Sequence, residues 1–145
     1  MAFRGTFDYS LDVKNRLTVP AKFRAALSDG VVLAKDLNKC VGIWRPEDYA
    51  AYTSEAVTSF PRLSPQARKL RSFFAANSLD TELDSAGRVG LPPFLIEHAG
   101  LSKEVVVVGA EDSLQVWDRA TWADYNDALT SEVEDITALL GQAPS

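Results

Sequence analysis

The sequence is poor in the residues that build disulfide frameworks and metal sites. It has one cysteine, Cys40, and one histidine, His98. A lone cysteine cannot close an intramolecular disulfide, so a disulfide-built extracellular fold is excluded. One Cys and one His cannot supply the three or four ligands that zinc requires. Long hydrophobic runs are missing too. The longest, Val105-Val106-Val107-Val108-Gly109-Ala110, is far too short to span a bilayer. The first residues, Met1 to Asp8, contain no apolar core of a secretion signal, so the expected compartment is the cytoplasm. There is no Gly-rich phosphate loop and no Gly-x-Ser-x-Gly elbow. No acid/base pair or nucleophile set emerges either, so the reading is not an enzyme, with no cofactor and no small-molecule substrate. Cys40 lies in the apolar run Cys40–Trp44 and reads as a buried strand residue. His98 reads as a surface or hydrogen-bonded residue of a short helix.

Positive charge is also short overall. Fifteen Lys and Arg face twenty Asp and Glu, a net charge of -5, which argues at first against a nucleic-acid partner. The average hides an asymmetry. Residues 1–76 hold 12 basic and 7 acidic residues, a net of +5; residues 77–145 hold 3 and 13, a net of -10. Basic residues gather at Arg4, Lys14, Arg16, Lys22 and Arg24, and again at Arg62, Arg68, Lys69 and Arg71. Charge acts within a Debye length of about 8–10 Å at physiological salt, so local excess matters more than the sum.

What the chain does have is a repeat. Asp12-Val13-Lys14-Asn15-Arg16-Leu17-Thr18-Val19-Pro20 is answered by Asp84-Ser85-Ala86-Gly87-Arg88-Val89-Gly90-Leu91-Pro92, with Asp, Arg and Pro at the same spacing. Ile43-Trp44, Tyr49 and Tyr52 are answered in order by Val116-Trp117, Trp122 and Tyr125. At 145 residues the chain then reads as two half-domains sharing a core. We divide it into a first repeat (1–59), a linker and helix (60–76), a second repeat (77–130) and a C-terminal helix extension and tail (131–145).

Each repeat follows one plan. A strand such as Gly5–Asp12 leads into a turn, Asp12–Arg16 or Asp84–Arg88. Asn15 and Gly87 hold the same turn position, and both tolerate positive φ. Short strands follow at Leu17–Val19 and Val89–Leu91. Pro20 and Pro92 are expected at the first position of short helices ending near Gly30 and Gly100. Hairpins come next: Val31–Ala34 with Cys40–Trp44, and Val105–Gly109 with Leu114–Trp117. Pro46 and Asp118 signal the closing helices. Between repeats, Ser64 and Pro65 open a helix through Phe74. In the last helix Trp122, Tyr125, Leu129, Val133, Ile136 and Leu140 form an apolar stripe opposite an acidic face, a packing surface for its own chain or a neighbouring subunit.

Two readings fit the Asp-x-x-x-Arg turns. The pairs Asp12/Arg16 and Asp84/Arg88 can brace a tight turn. They can also present Arg16, with Lys14 and Lys22 nearby, to a DNA backbone or to guanine, with Asp12 holding the arginine in place. The second copy carries less charge, with Ser85 and Ala86 for Val13 and Lys14.

The segment Asp12–Arg24 resembles the Asp-x-Lys-Gly-Arg-x-x-x-Pro-x-x-Phe-Arg signature of the MraZ family of bacterial transcriptional regulators. A second Asp-x-x-Gly-Arg-x-x-x-Pro at 84–92, the helix around Arg68–Phe74, and the segments Val106–Gly109 and Leu114–Asp118 extend the resemblance over residues 3–126. The resemblance implies an α+β fold of two tandem AbrB/SpoVT-like repeats, forming a pseudo-two-fold double-split β-barrel with packed helices. It implies a regulator, usually a repressor, that binds double-stranded DNA at repeated sites upstream of the division and cell-wall gene cluster. It also implies a ring-shaped homo-oligomer associated with the nucleoid. The family's DNA-facing motif falls on Asp12 and Arg16, and on Asp84 and Arg88. Asn15 replaces the usual Gly, and Ala86 the usual Lys, which removes a cation from the second motif and leaves its bracing role. A different class of function, an antitoxin-like protein-interaction module acting through the acidic C-terminal half, rests on Glu132, Glu134 and Asp135.

Overall fold

A computed structural model describes residues 2–142. Its strands are β1 (Thr6–Ser10), β2 (Arg16–Thr18), β3 (Val31–Lys35), β4 (Val41–Trp44), β5 (Ser78–Thr81), β6 (Arg88–Gly90), β7 (Glu104–Gly109) and β8 (Ser113–Asp118). Its helices are α1 (Ala21–Arg24, continued by a 3-10 turn Ala25–Leu27), α2 (Pro46–Thr58), α3 (Pro65–Ala76), α4 (Pro93–Ala99) and α5 (Arg119–Leu140). Six strands form one antiparallel sheet in the order β1-β7-β8-β4-β3-β5, and β2 pairs with β6 in a separate two-stranded ribbon.

The repeat explains this order. The β3–β4 hairpin of the first repeat and the β7–β8 hairpin of the second meet edge to edge through β4 and β8. Each repeat then lends its leading strand to the other: β1 adds to β7, and β5 adds to β3. Gly42 lies opposite Gln115, its own counterpart, so a pseudo-two-fold axis passes through that pair.

The inner strands β3, β4 and β7 are covered on both faces, which is why they read as near-continuous apolar runs. Val31, Leu33, Ile43, Val105, Val107 and Leu114 face the main core, shared with Leu17 and Val89 of the ribbon and with Phe23 and Leu95 of α1 and α4. The alternate positions Val106, Val108 and Trp117 face Trp122 and Tyr125 of α5. In the first repeat Trp44 stacks on Tyr52 at 4.8 Å and meets Tyr49 edge-on, the same use of the same repeat positions. Cys40 is fully buried beside this layer, and burial pushes its thiol well up, as for a structural cysteine. His98 is held by the carbonyls of Asp36 and Asn38, with its Nε2 3.1 and 3.2 Å away.

Three expectations need correction. Pro20 and Pro92 stand just before their helices, in extended backbone, and not at the first helical position. Pro92 is held extended by the ring of Pro93, which takes that position instead. The short ribbon strands begin at the arginines, one residue earlier than the apolar pattern suggests, because their backbone pairing includes Arg16 and Arg88. The closed barrel is not found: β1 and β5 end the larger sheet, and no ladder among the described residues joins them. The structure is an α+β arrangement of two repeats. Ser64 caps α3 as expected, accepting from the Ala67 amide at 3.2 Å, with Pro65 in the first position.

Candidate nucleic-acid interface

Each Asp-x-x-x-Arg turn is built around its aspartate. Asp12 Oδ1 accepts from the backbone amides of Lys14 (2.9 Å) and Arg16 (2.8 Å), while Oδ2 accepts from Arg16 Nε at 2.6 Å. Asp84 does the same with Ala86 (3.0 Å), Arg88 (2.9 Å) and Arg88 Nε (2.9 Å). A carboxylate accepting two amides and a guanidinium is stabilised in its charged form. Asp12 and Asp84 are accordingly held below the usual carboxyl range, chiefly by the amides of Arg16 and Arg88. The backbone closes the turns through Asn15 (φ 56°) and Gly87 (φ 75°), both left-handed.

The two turns are also tied to each other. Leu91 N donates to Asn15 O at 3.0 Å, and Val19 N donates to Gly87 O at 2.9 Å. Between these links, β2 and β6 pair with Arg16 opposite Gly90, Leu17 opposite Val89 and Thr18 opposite Arg88. Side chains alternate along a strand. Leu17 and Val89 are buried, so Arg16, Thr18, Arg88 and Gly90 share the outward face. Arg16 and Arg88 stand diagonally across it, with Cα atoms about 7–8 Å apart for such neighbours. Each arginine side chain stays about one-third exposed (32% and 35%) while its Nε is held by Asp. Among the described residues their terminal nitrogens make no hydrogen bond, so each fork can still donate outward.

Of the expected site residues, the fold therefore joins Asp12, Arg16, Asp84 and Arg88 in one ribbon. Lys14 is exposed at the tip of the first turn, next to a fully exposed Val13. Lys22 behaves differently. Its ammonium lies 5.1 Å from the ring centres of both Phe7 and Phe23, over aromatic faces.

Two further cations, Arg24 and Lys103, join the site although neither is among the expected contact residues. Arg24 donates to Val19 O at 2.9 Å and lies against Gly87, where a Cβ would strike its guanidinium. A residue of the first repeat thus braces the turn of the second. Lys103 and Ser102 line a cleft of about 350 Å³ together with Asp12, Val13 and Asn15, adding a cation beside the first turn. Both are long-range neighbours, invisible to local spacing. The α3 cations pack elsewhere: α3 lies on α2, and Arg71 donates to Arg62 O at 3.3 Å.

The sequence pattern of the MraZ protein family, described as antitoxin-like, matches residues 2–73 and again residues 74–140. The chain belongs to the MraZ family. The two matches in tandem correspond to the two turns, one in each copy. In this MraZ-family chain the ribbon is therefore made by one short strand from each family repeat. No helix among the described residues is long and apolar enough to cross a membrane.

Proposed function

We propose that the chain is a sequence-specific DNA-binding transcriptional regulator, a repressor acting at repeated sites upstream of the division and cell-wall gene cluster. The observation that carries this reading is the placement of Arg16 and Arg88 on one exposed face of a two-stranded ribbon, each held at Nε by its own aspartate. A two-stranded β-ribbon fits the major groove of B-DNA, and an arginine fork donates to guanine O6 and N7 or to phosphate. The aspartates hold the forks and spare them the entropy of ordering on binding. Lys14 and Lys103 serve as phosphate contacts beside the first turn, and Val13 offers an apolar contact to a thymine methyl. Lys22 is a backbone contact at most.

The finer assignments belong to the same proposal. The chain acts as a ring-shaped homo-oligomer, so that weak single contacts multiply over DNA repeats. It works in the cytoplasm at the nucleoid, without cofactor or small-molecule substrate, and is not an enzyme. Residues 1–59 and 77–130 are its repeats, joined by 60–76; the tail of 131–145 lies partly outside the described residues. A gel shift on the DNA upstream of the chain's own gene tests the reading. A shift that unrelated competitor DNA does not remove is expected, and no shift overturns it.

A second reading, a protein-interaction module of antitoxin type, is favoured by the family description and by the exposed acidic end of α5. Arg16→Ala separates the two, since it removes DNA binding under the first reading and leaves a protein contact through α5 untouched under the second.

A further inference from the structure

The two repeats differ most at their closing helices. In the first, α3 covers α2: the Phe74 ring meets Tyr52 at 5.8 Å and Tyr49 at 6.5 Å. In the second, Trp122 and Tyr125 of α5 hold Trp117 as Tyr49 and Tyr52 hold Trp44, but among the described residues no helix lies beyond them. From Thr130 onward every described residue of α5 is exposed. This end carries Val133, Ile136, Leu139 and Leu140, at 43–71% exposure, together with Glu132, Glu134 and Asp135 and no cation. Large apolar side chains grouped on an exposed helix end mark an interaction surface.

A complementary surface exists on the same chain. Between α2 and α3 a groove of about 410 Å³ is lined by Tyr49, Thr53, Val57, Phe74 and Arg71. It continues toward Phe60 and Arg62. Its rim is basic: the groove and its continuation are lined by Arg71 and Arg62 and by no acid. The apolar floor suits the α5 stripe, and the basic rim suits its acidic flank. Because α5 is one uninterrupted helix from Arg119 to Leu140, its end cannot turn back onto its own groove.

We propose that the acidic, apolar end of α5 (residues 130–140) docks into the basic α2–α3 groove of a second copy of this chain. The contact is heterologous, joining two different surfaces. Repeated around an axis it closes a ring. It rests on the reading that the chain self-assembles, and it names the surfaces that assembly uses.

Sedimentation velocity on the full chain tests it. The native chain should sediment at a multiple of 15.8 kDa. The groove variant R62E/R71E and the helix variant E132K/E134K/D135K should each fall to monomer, with unchanged circular dichroism. An equimolar mixture of the two should regain the native mass, because each reversed surface then meets its complement. Ile136→Asp, at a position the monomer leaves exposed, should also lose assembly without altering the groove. If R62E/R71E keeps the native mass, or the mixture stays monomeric, the docking is overturned and assembly uses another surface, such as α5 against α5. If the native chain is itself monomeric, the assembly reading falls with it, and the groove and helix end serve a different protein. DNA binding is measured separately through Arg16, so the two failures are distinct.

Discussion

Leu17 and Val89 lie directly opposite each other in the β2–β6 ribbon, and each is the other's counterpart in the repeat. The pseudo-two-fold axis that passes through Gly42 and Gln115 in the large sheet therefore also passes through this pair. Leu17 is fully buried and Val89 nearly so, which anchors both arginine turns to one core. Leu17→Ala removes buried volume at the axis and should cost about 2–5 kcal/mol. Because both turns share the anchor, urea unfolding should remain one cooperative transition at a lower midpoint. Two separated transitions would show that the repeats fold independently.

The aspartates make a pH prediction. Folding lowers the pKa of Asp12 and Asp84, through the amides of Arg16 and Arg88 first. Their contribution is fully present above the unfolded value near 3.9 and is lost as pH falls through the lower folded value. Stability should thus decline below about pH 4 on their account. Asp84→Asn should be less stable at pH 7 and should show a shallower acid decline. An unchanged acid limb would mean that the carboxylate does not hold the turn.

The left-handed positions should respond unequally. Gly87→Ala introduces a Cβ at φ 75° that also meets Arg24. A loss of about 1–2 kcal/mol in thermal unfolding is expected from the backbone alone. Asn15→Gly, at φ 56°, should change stability by less, since Asn already tolerates this region. Equal losses at both positions would contradict the bracing of the second turn by Arg24.

The two turns should also contribute unequally to DNA binding. Lys14, Val13 and Lys103 flank the first, while the second has Ala86 and Ser85. Arg88→Ala should weaken binding less than Arg16→Ala. Lys14→Ala should weaken it across sequences and reduce the slope of log affinity against log salt by about one. A slope equal to that of the native chain would remove Lys14 from the phosphate contacts.

Much of this architecture can be read locally. Asp12, Arg16 and Pro20, repeated at Asp84, Arg88 and Pro92, locate the turns, because an Asx turn and a left-handed residue need these types at this spacing. The caps of α3 and the aromatic pairs of α2 and α5 are local as well. The exchange of β1 and β5 between repeats is not, since a strand's periodicity specifies its buried faces and not its partner. The same limit hides the Arg24–Gly87 contact and the approach of Lys103 to the first turn. Lys22 shows the reverse case: it is close to Arg16 in sequence, but its stem and charge settle over Phe7 and Phe23.

The most direct measurement is the affinity of the native chain and of Arg16→Ala for the DNA upstream of the chain's own gene, at one fixed salt concentration. A lost bidentate arginine contact is worth about 1–3 kcal/mol per site, so a fall of roughly 5- to 150-fold is predicted, with the oligomer's mass unchanged. Equal affinity for the two proteins would contradict the assignment of the ribbon face as the DNA-binding surface.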